Sequence, residues 1–137
     1  MADFFELPEM VEDIEQEDNV LTLDELKAKK RSELKTAELE YMDEPMKIGD
    51  YTYYSTSNDI TAYKNTLDLM KEEEQDSFEI GVVEGLVEVT VEILENAVLA
   101  LGNKRYNAWL AYSKLVKQVY EASSASEVAD IVWTTDI

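Results

Sequence analysis

Two residue types that carry much of protein chemistry are missing from this chain, which has no cysteine and no histidine. Without Cys there is neither a disulfide framework nor a thiolate nucleophile; the redox compartment stays open, although a Cys-free chain fits a cytoplasmic product. Without His the commonest general base and a common metal ligand are gone. Glycine is scarce as well: Gly49, Gly81, Gly85 and Gly102 are the four, and they form no loop that would cradle a phosphate. Basic residues are the third shortage. Twelve Lys and Arg stand against 31 Asp and Glu, a formal charge of −19. That charge repels phosphate backbones and anionic lipid, so the expectation is no nucleic acid and no membrane, and a basic or neutral protein suits it better. Long apolar runs are absent too. Met1 is followed by ADFFELPEMVEDIEQED, without a positive segment, so neither a signal peptide nor a membrane span is expected.

What is present points to a folded chain. The 137 residues are 45% apolar, enough for one domain with a modest core. Residues 1–22 carry Asp3, Glu6, Glu9, Glu12, Asp13, Glu15, Glu17 and Asp18 and no Lys or Arg, which reads as an acidic flexible arm. Phe4, Phe5, Leu7, Met10, Val11 and Ile14 punctuate it. Two readings stand: a solvated tail with incidental apolar residues, or a segment that orders on a partner. Residues 23–137 read as a single α-rich domain.

In TLDE, the Thr22 hydroxyl and Glu25 are spaced to form a capping box, and Pro45 stops the helix that follows. Leu23, Leu26, Leu34, Ala37 and Tyr41 suggest its apolar face, and the run KAKKR (27–31) reads as a solvated face balancing nearby acids. The stretch MKIGDYTY (46–53) then reads as a hairpin. Gly49 takes the positive φ of a primed turn, and Ile48 falls opposite Tyr51 and Met46 opposite Tyr53, all four on one face. Such a ribbon is marginal alone and must pack on a helix.

STSND (55–59) supplies the cap of a second helix bearing Ile60, Tyr63, Leu67 and Met70. A second hairpin over FEIGVVEGLVEV (78–89) is expected to turn at Glu84-Gly85, with a bulged or longer turn as the alternative. Thr90 caps a long helix over 91–122, whose apolar row is read as Leu94, Val98, Leu101, Trp109, Tyr112, Val116 and Val119, with Arg105 its one charged interruption. At about 45 Å it overreaches a domain of this size, so part of it is expected to meet another chain or to form the spine of an elongated shape. Gly102, in its middle, marks a bend or a close contact. Ser124 and Glu127 make a second capping-box pattern before a short helix, and Val128, Ile131 and Trp133 close the domain. The fold class is mainly α with small β-hairpins.

For chemistry, carboxylates are what remains, and 31 of them guarantee close pairs by chance, so no acid–base pair is nominated. EDIEQED (12–18) lacks the Gly and the terminal Glu of a calcium loop. The tyrosines at 51, 53, 54, 63, 106, 112 and 120 follow strand and helix periodicity and read as core or interface. The expectation is a non-enzymatic protein with no catalytic residues, no cofactor and no metal. Its nominated contacts are Phe4, Phe5, Leu7, Met10, Val11 and Ile14 in the arm and Trp109 and Tyr112 on the long helix. A homo- or hetero-oligomer follows.

The order of elements also carries a resemblance. KAKKRSELKTAELEYM, then MKIGDYTYYSTSNDI, then a helix, an extended segment ending in VEVT, and a long helix closing in SSASEVADI is similar to the DUF4376-type domain of tailed-bacteriophage tail proteins. Ile48, Gly49, Tyr53 or Tyr54, and Ser55 or Ser57 match that family's hydrophobic-x-Gly-x-x-aromatic-x-Ser signature. The likeness covers roughly residues 25 to 132 and leaves the arm outside. The Tyr-rich hairpin and the strong acidity depart from the family pattern. No catalytic residue comes with the resemblance. It implies a structural protein of a phage tail or tail-fibre region, made in the host cytoplasm and located in the virion, with other tail proteins as partners. The alternative is a tail-assembly chaperone absent from the mature particle.

Overall fold

The computed structural model describes residues 20–136. Helix α1 runs Leu23–Asp43, strands β1 (Met46–Ile48) and β2 (Tyr51–Tyr53) form the first hairpin, and α2 runs Ser57–Glu72. A second hairpin, β3 (Ser77–Val82) and β4 (Gly85–Thr90), leads into α3 (Val91–Glu121), followed by the short α4 (Ala125–Ala129). The chain is mainly helical with two antiparallel hairpins, as the sequence implies.

Local chemistry sets these boundaries. The Thr22–Glu25 capping box opens α1, and α1 stops two residues before Pro45. Thr56 and Asp59 make a reciprocal box at α2. Thr90 caps α3 by accepting the Ile93 N–H. At α4 the box is offset: Ser124 accepts the Glu127 N–H, but the Glu127 carboxylate reaches back to the N–H of Ser123 rather than Ser124.

The first hairpin has the expected register, Ile48 opposite Tyr51 and Met46 opposite Tyr53, with Gly49 at φ 66°. The second differs from expectation. Val82 pairs with Gly85, so the turn residues are Val83 and Glu84 rather than Glu84 and Gly85. Glu84 does not take the positive φ; Gly85, just after the turn, takes it at 121°. The slip moves each pairing by two residues, and because side chains alternate with period two, Phe78, Ile80, Val82, Val87 and Val89 still share a face. The hairpins are tied together. Val83 N–H donates to the Thr52 carbonyl at 2.9 Å and Thr52 N–H to the Glu84 carboxylate at 2.9 Å. The Tyr63 hydroxyl donates to the Gly81 carbonyl at 2.8 Å and accepts from Tyr54 N–H at 3.2 Å.

Helix α3, about 46 Å long at 1.5 Å per residue, is the spine. Lys71 of α2 bonds Glu95 at 2.8 Å and Arg105 donates to the Ser55 carbonyl at 3.0 Å, so α2 runs antiparallel along the first half of α3. Lys27 donates to the Tyr120 carbonyl at 2.9 Å and Arg105 lies 3.5 Å from Asp43, so α1 runs antiparallel along the second half.

Against the first half packs an apolar cluster of Tyr53, Tyr63, Leu67, Met70, Ile80, Val82, Val89, Leu94, Ala97 and Leu101. A smaller one of Leu34, Leu115, Val119 and Ile131 lies against the second, with Tyr112 and Trp133 at its margin.

The buried row of α3 corrects the sequence reading. It is Leu94, Ala97, Leu101, Lys104, Ala108, Ala111, Leu115 and Val119. Trp109 points away from it, and the buried cation is Lys104 rather than Arg105. Ala108 and Ala111 occupy the seam with α1, and reading the row from its large residues misses them.

Candidate functional site

Because α3 has 3.6 residues per turn, residues seven apart share a line along it. Leu99, Tyr106, Ser113 and Tyr120 form one such line, with Gly102 and Trp109 beside it. On the helical wheel this line lies opposite the buried row. Leu99 is 63% exposed, Tyr106 57%, Trp109 55% and Tyr120 77%. The Tyr106 and Trp109 rings lie with centroids 6.1 Å apart. Four large apolar or aromatic side chains on the solvent side of one helix are an unusual use of surface, since isolated apolar residues are normal but aligned ones mark contact sites.

Trp109, nominated from sequence, belongs to this outer face. Tyr112 does not: it is half-buried against the Leu34–Ile131 cluster, with the Lys35 ammonium 4.9 Å from its ring centre. The two nominated residues therefore serve different faces. Phe4, Phe5, Leu7, Met10, Val11 and Ile14 lie outside the described residues. Sequence reasoning passed over Leu99, and it read Tyr106 and Tyr120 as core or interface without nominating them; the seven-residue spacing links all three, but an apolar row read as single hides the second one on α3.

The ionisable groups at the α1–α3 seam act structurally. Lys104 is buried, donates to the Glu44 carbonyl and lies 5.2 Å from the Tyr41 ring centre. Burial pulls its ammonium below the usual lysine range. Glu38 is 1% exposed and accepts from Lys35 at 2.8 Å, and that bond raises the lysine's pKa. Ser55, also buried, donates to the Met42 carbonyl at 2.7 Å. Lys104 and Ser55 bind backbone carbonyls where α1 ends, and Arg105 binds the Ser55 carbonyl where the first hairpin gives way to α2.

A hollow of about 330 Å³ opens between the first hairpin and α3, lined by Ile48, Gly49, Asp50, Tyr51, Tyr53, Ile93 and Asn96. Tyr53 is fully buried and its hydroxyl has no hydrogen-bond partner; burial raises its pKa. Among the described residues no three His, Cys, Asp or Glu side chains gather as a metal site would require. No family model, curated protein or solved structure matches the chain.

Proposed function

We propose that the protein works by protein–protein contact, as a non-enzymatic structural component of a bacteriophage tail or tail-fibre attachment region. The observation that carries the contact reading is the outer face of α3, where Leu99, Tyr106, Trp109 and Tyr120 are aligned and solvent-exposed on a helix whose opposite face already holds the core. The tail assignment rests on the order of elements over residues 25 to 132 and on the signature around Ile48 and Gly49. In this reading its partners are other tail proteins, it is made in the host cytoplasm, and it resides in the virion.

Mass spectrometry of purified phage particles from a host carrying the gene tests this role. The chain should be present in constant ratio to the major tail proteins. Absence from mature particles, with presence on tail-assembly intermediates, would favour the chaperone alternative, for which small size and acidity are equally suited. Absence from both removes the phage assignment altogether.

A further inference from the structure

We propose that the outer face of α3 is a homodimer interface, in which two copies of the chain pair their long helices antiparallel across a two-fold axis. Three observations carry this beyond the general contact role, and it holds whether or not the tail assignment does.

The first is spacing. Leu99, Tyr106, Ser113 and Tyr120 recur every seven residues, with Gly102 and Trp109 at the intervening offset of three. That is the pattern by which one helix interleaves side chains with another.

The second is Gly102. It lies exposed on this face, and a Cβ built there would meet nothing within 4 Å. Nothing within the described fold therefore requires glycine, although glycine weakens a helix interior relative to alanine. A second helix lying on this face does require it. Gly102 and Ser113 are the recesses between Leu99, Tyr106, Trp109 and Tyr120, where a neighbour's large side chains can seat.

The third is charge, which selects the occupant and its direction. On the outer side of α3, exposed Glu92 and Glu95 stand at the N-terminal end, and exposed Lys114 and Lys117 precede Glu121 near the C-terminal end, which keeps one positive charge in excess. A parallel copy would set acid on acid and base on base. An antiparallel copy sets the acidic end of each helix against the basic end of the other. A surface complementary to itself in this way is what a two-fold, isologous contact needs. The Lys71–Glu95 pair is exposed, with Nζ 2.8 Å from Oε2, so sharing that carboxylate costs little.

Sedimentation equilibrium of the full chain tests the proposal at roughly physiological salt, where the Debye length is about 8 Å and the remote part of the −19 charge is screened. The expected result is a reversible monomer–dimer equilibrium with Kd on the order of 10 µM, weak because a single helix face is a small interface. Trp109→Gln, a change at an exposed position whose circular dichroism should match the wild type, should weaken it at least about tenfold, the scale of losing one aromatic anchor.

Reversing Lys114 and Lys117 to Glu should abolish self-association. Mixing that chain with one carrying Glu92→Lys and Glu95→Lys should restore it. Single cysteines decide the orientation in this Cys-free chain: a Glu95→Cys copy should form a disulfide with a Lys114→Cys copy, and a Glu95→Cys copy that cross-links to itself overturns the antiparallel arrangement. A wild type that stays monomeric at concentrations ten times that Kd overturns the dimer. If Trp109 fluorescence in that monomer, with Trp133 replaced by Phe, shifts to the red only when residues 2–20 are deleted, the face is covered by the chain's own N-terminal segment instead.

Discussion

From Leu94 to Leu101 the inner face of α3 meets tyrosines, methionine and branched aliphatic side chains, whereas from Lys104 to Val119 it meets a helix across alanines, with two buried charged residues and a small apolar cluster beside them. The first half can be held by burial of apolar area alone, which is non-directional and tolerant of detail. The second half has less apolar volume to bury. It relies on close approach over Ala108 and Ala111 and on side chains that clasp backbone carbonyls: Lys27 on Tyr120, Lys30 on Ile131, Lys104 on Glu44. One helix thus belongs to two differently built interiors, and substitutions should separate them.

The largest effect is expected at Tyr53. Its ring is fully buried and packs edge-on against Tyr63, centroids 5.6 Å apart, in the larger cluster. Tyr53→Ala should cost about 3 to 4 kcal/mol in urea denaturation, the range for truncating a buried aromatic. Tyr53→Phe should be neutral or stabilising by up to about 1 kcal/mol, because it removes a buried hydroxyl that has no partner. Leu115→Ala, the equivalent truncation in the smaller cluster, should fall nearer the low end for leucine, about 2 to 3 kcal/mol. If Leu115→Ala costs more than Tyr53→Ala, the two halves have been ranked in the wrong order.

The second half should instead be sensitive to who keeps a partner. Glu38 is buried and its bond is to the half-exposed Lys35. Lys35→Met leaves that carboxylate buried and unpaired, and should destabilise by about 1 to 3 kcal/mol. Glu38→Met removes the buried charge itself and should be near neutral or stabilising. Equal losses from the two substitutions in thermal unfolding would mean that the pair contributes packing alone, and the contrast between the halves would shrink accordingly.

The same contrast explains what could be read from sequence. Where structure is set by local stereochemistry it was legible: the Thr22 and Thr56 caps, the Gly49 turn with its register, and the ends of α3 all depend on a few adjacent residues. The larger cluster was legible too, because Tyr53, Tyr63, Leu67, Met70 and Leu94 are the kind of residue a periodicity search counts. The α1–α3 seam was not, since Ala108, Ala111, Lys104 and Glu38 are small or charged and their burial depends on what lies opposite. The turn at Val83-Glu84 was missed by one position because Gly85 serves as the residue after the turn as well as it would have served inside it. At the candidate site, Trp109 was singled out correctly as belonging to α3, but it was assigned to the same row as Leu101 and Val119. A helix that presents apolar residues on two opposite faces gives overlapping periodicities, and the row nearer the core hides the other.

The smallest effect is expected at Gly102, which lies between the two halves and belongs to neither core. Its side of α3 is open and a methyl group there meets nothing within 4 Å, so Gly102→Ala brings the helical propensity of alanine without a clash. At concentrations low enough to keep the chain monomeric, unfolding should shift in favour of the folded state by about 0.5 to 1 kcal/mol. Self-association should move the other way, because the same methyl group fills a recess that a facing side chain needs. A variant that is more stable as a monomer and weaker as a dimer would tie the glycine to the outer face of the helix. One that gains stability with no change in association would leave Gly102 without a role in pairing, and one that loses stability would mean that the backbone at this junction needs a freedom only glycine has.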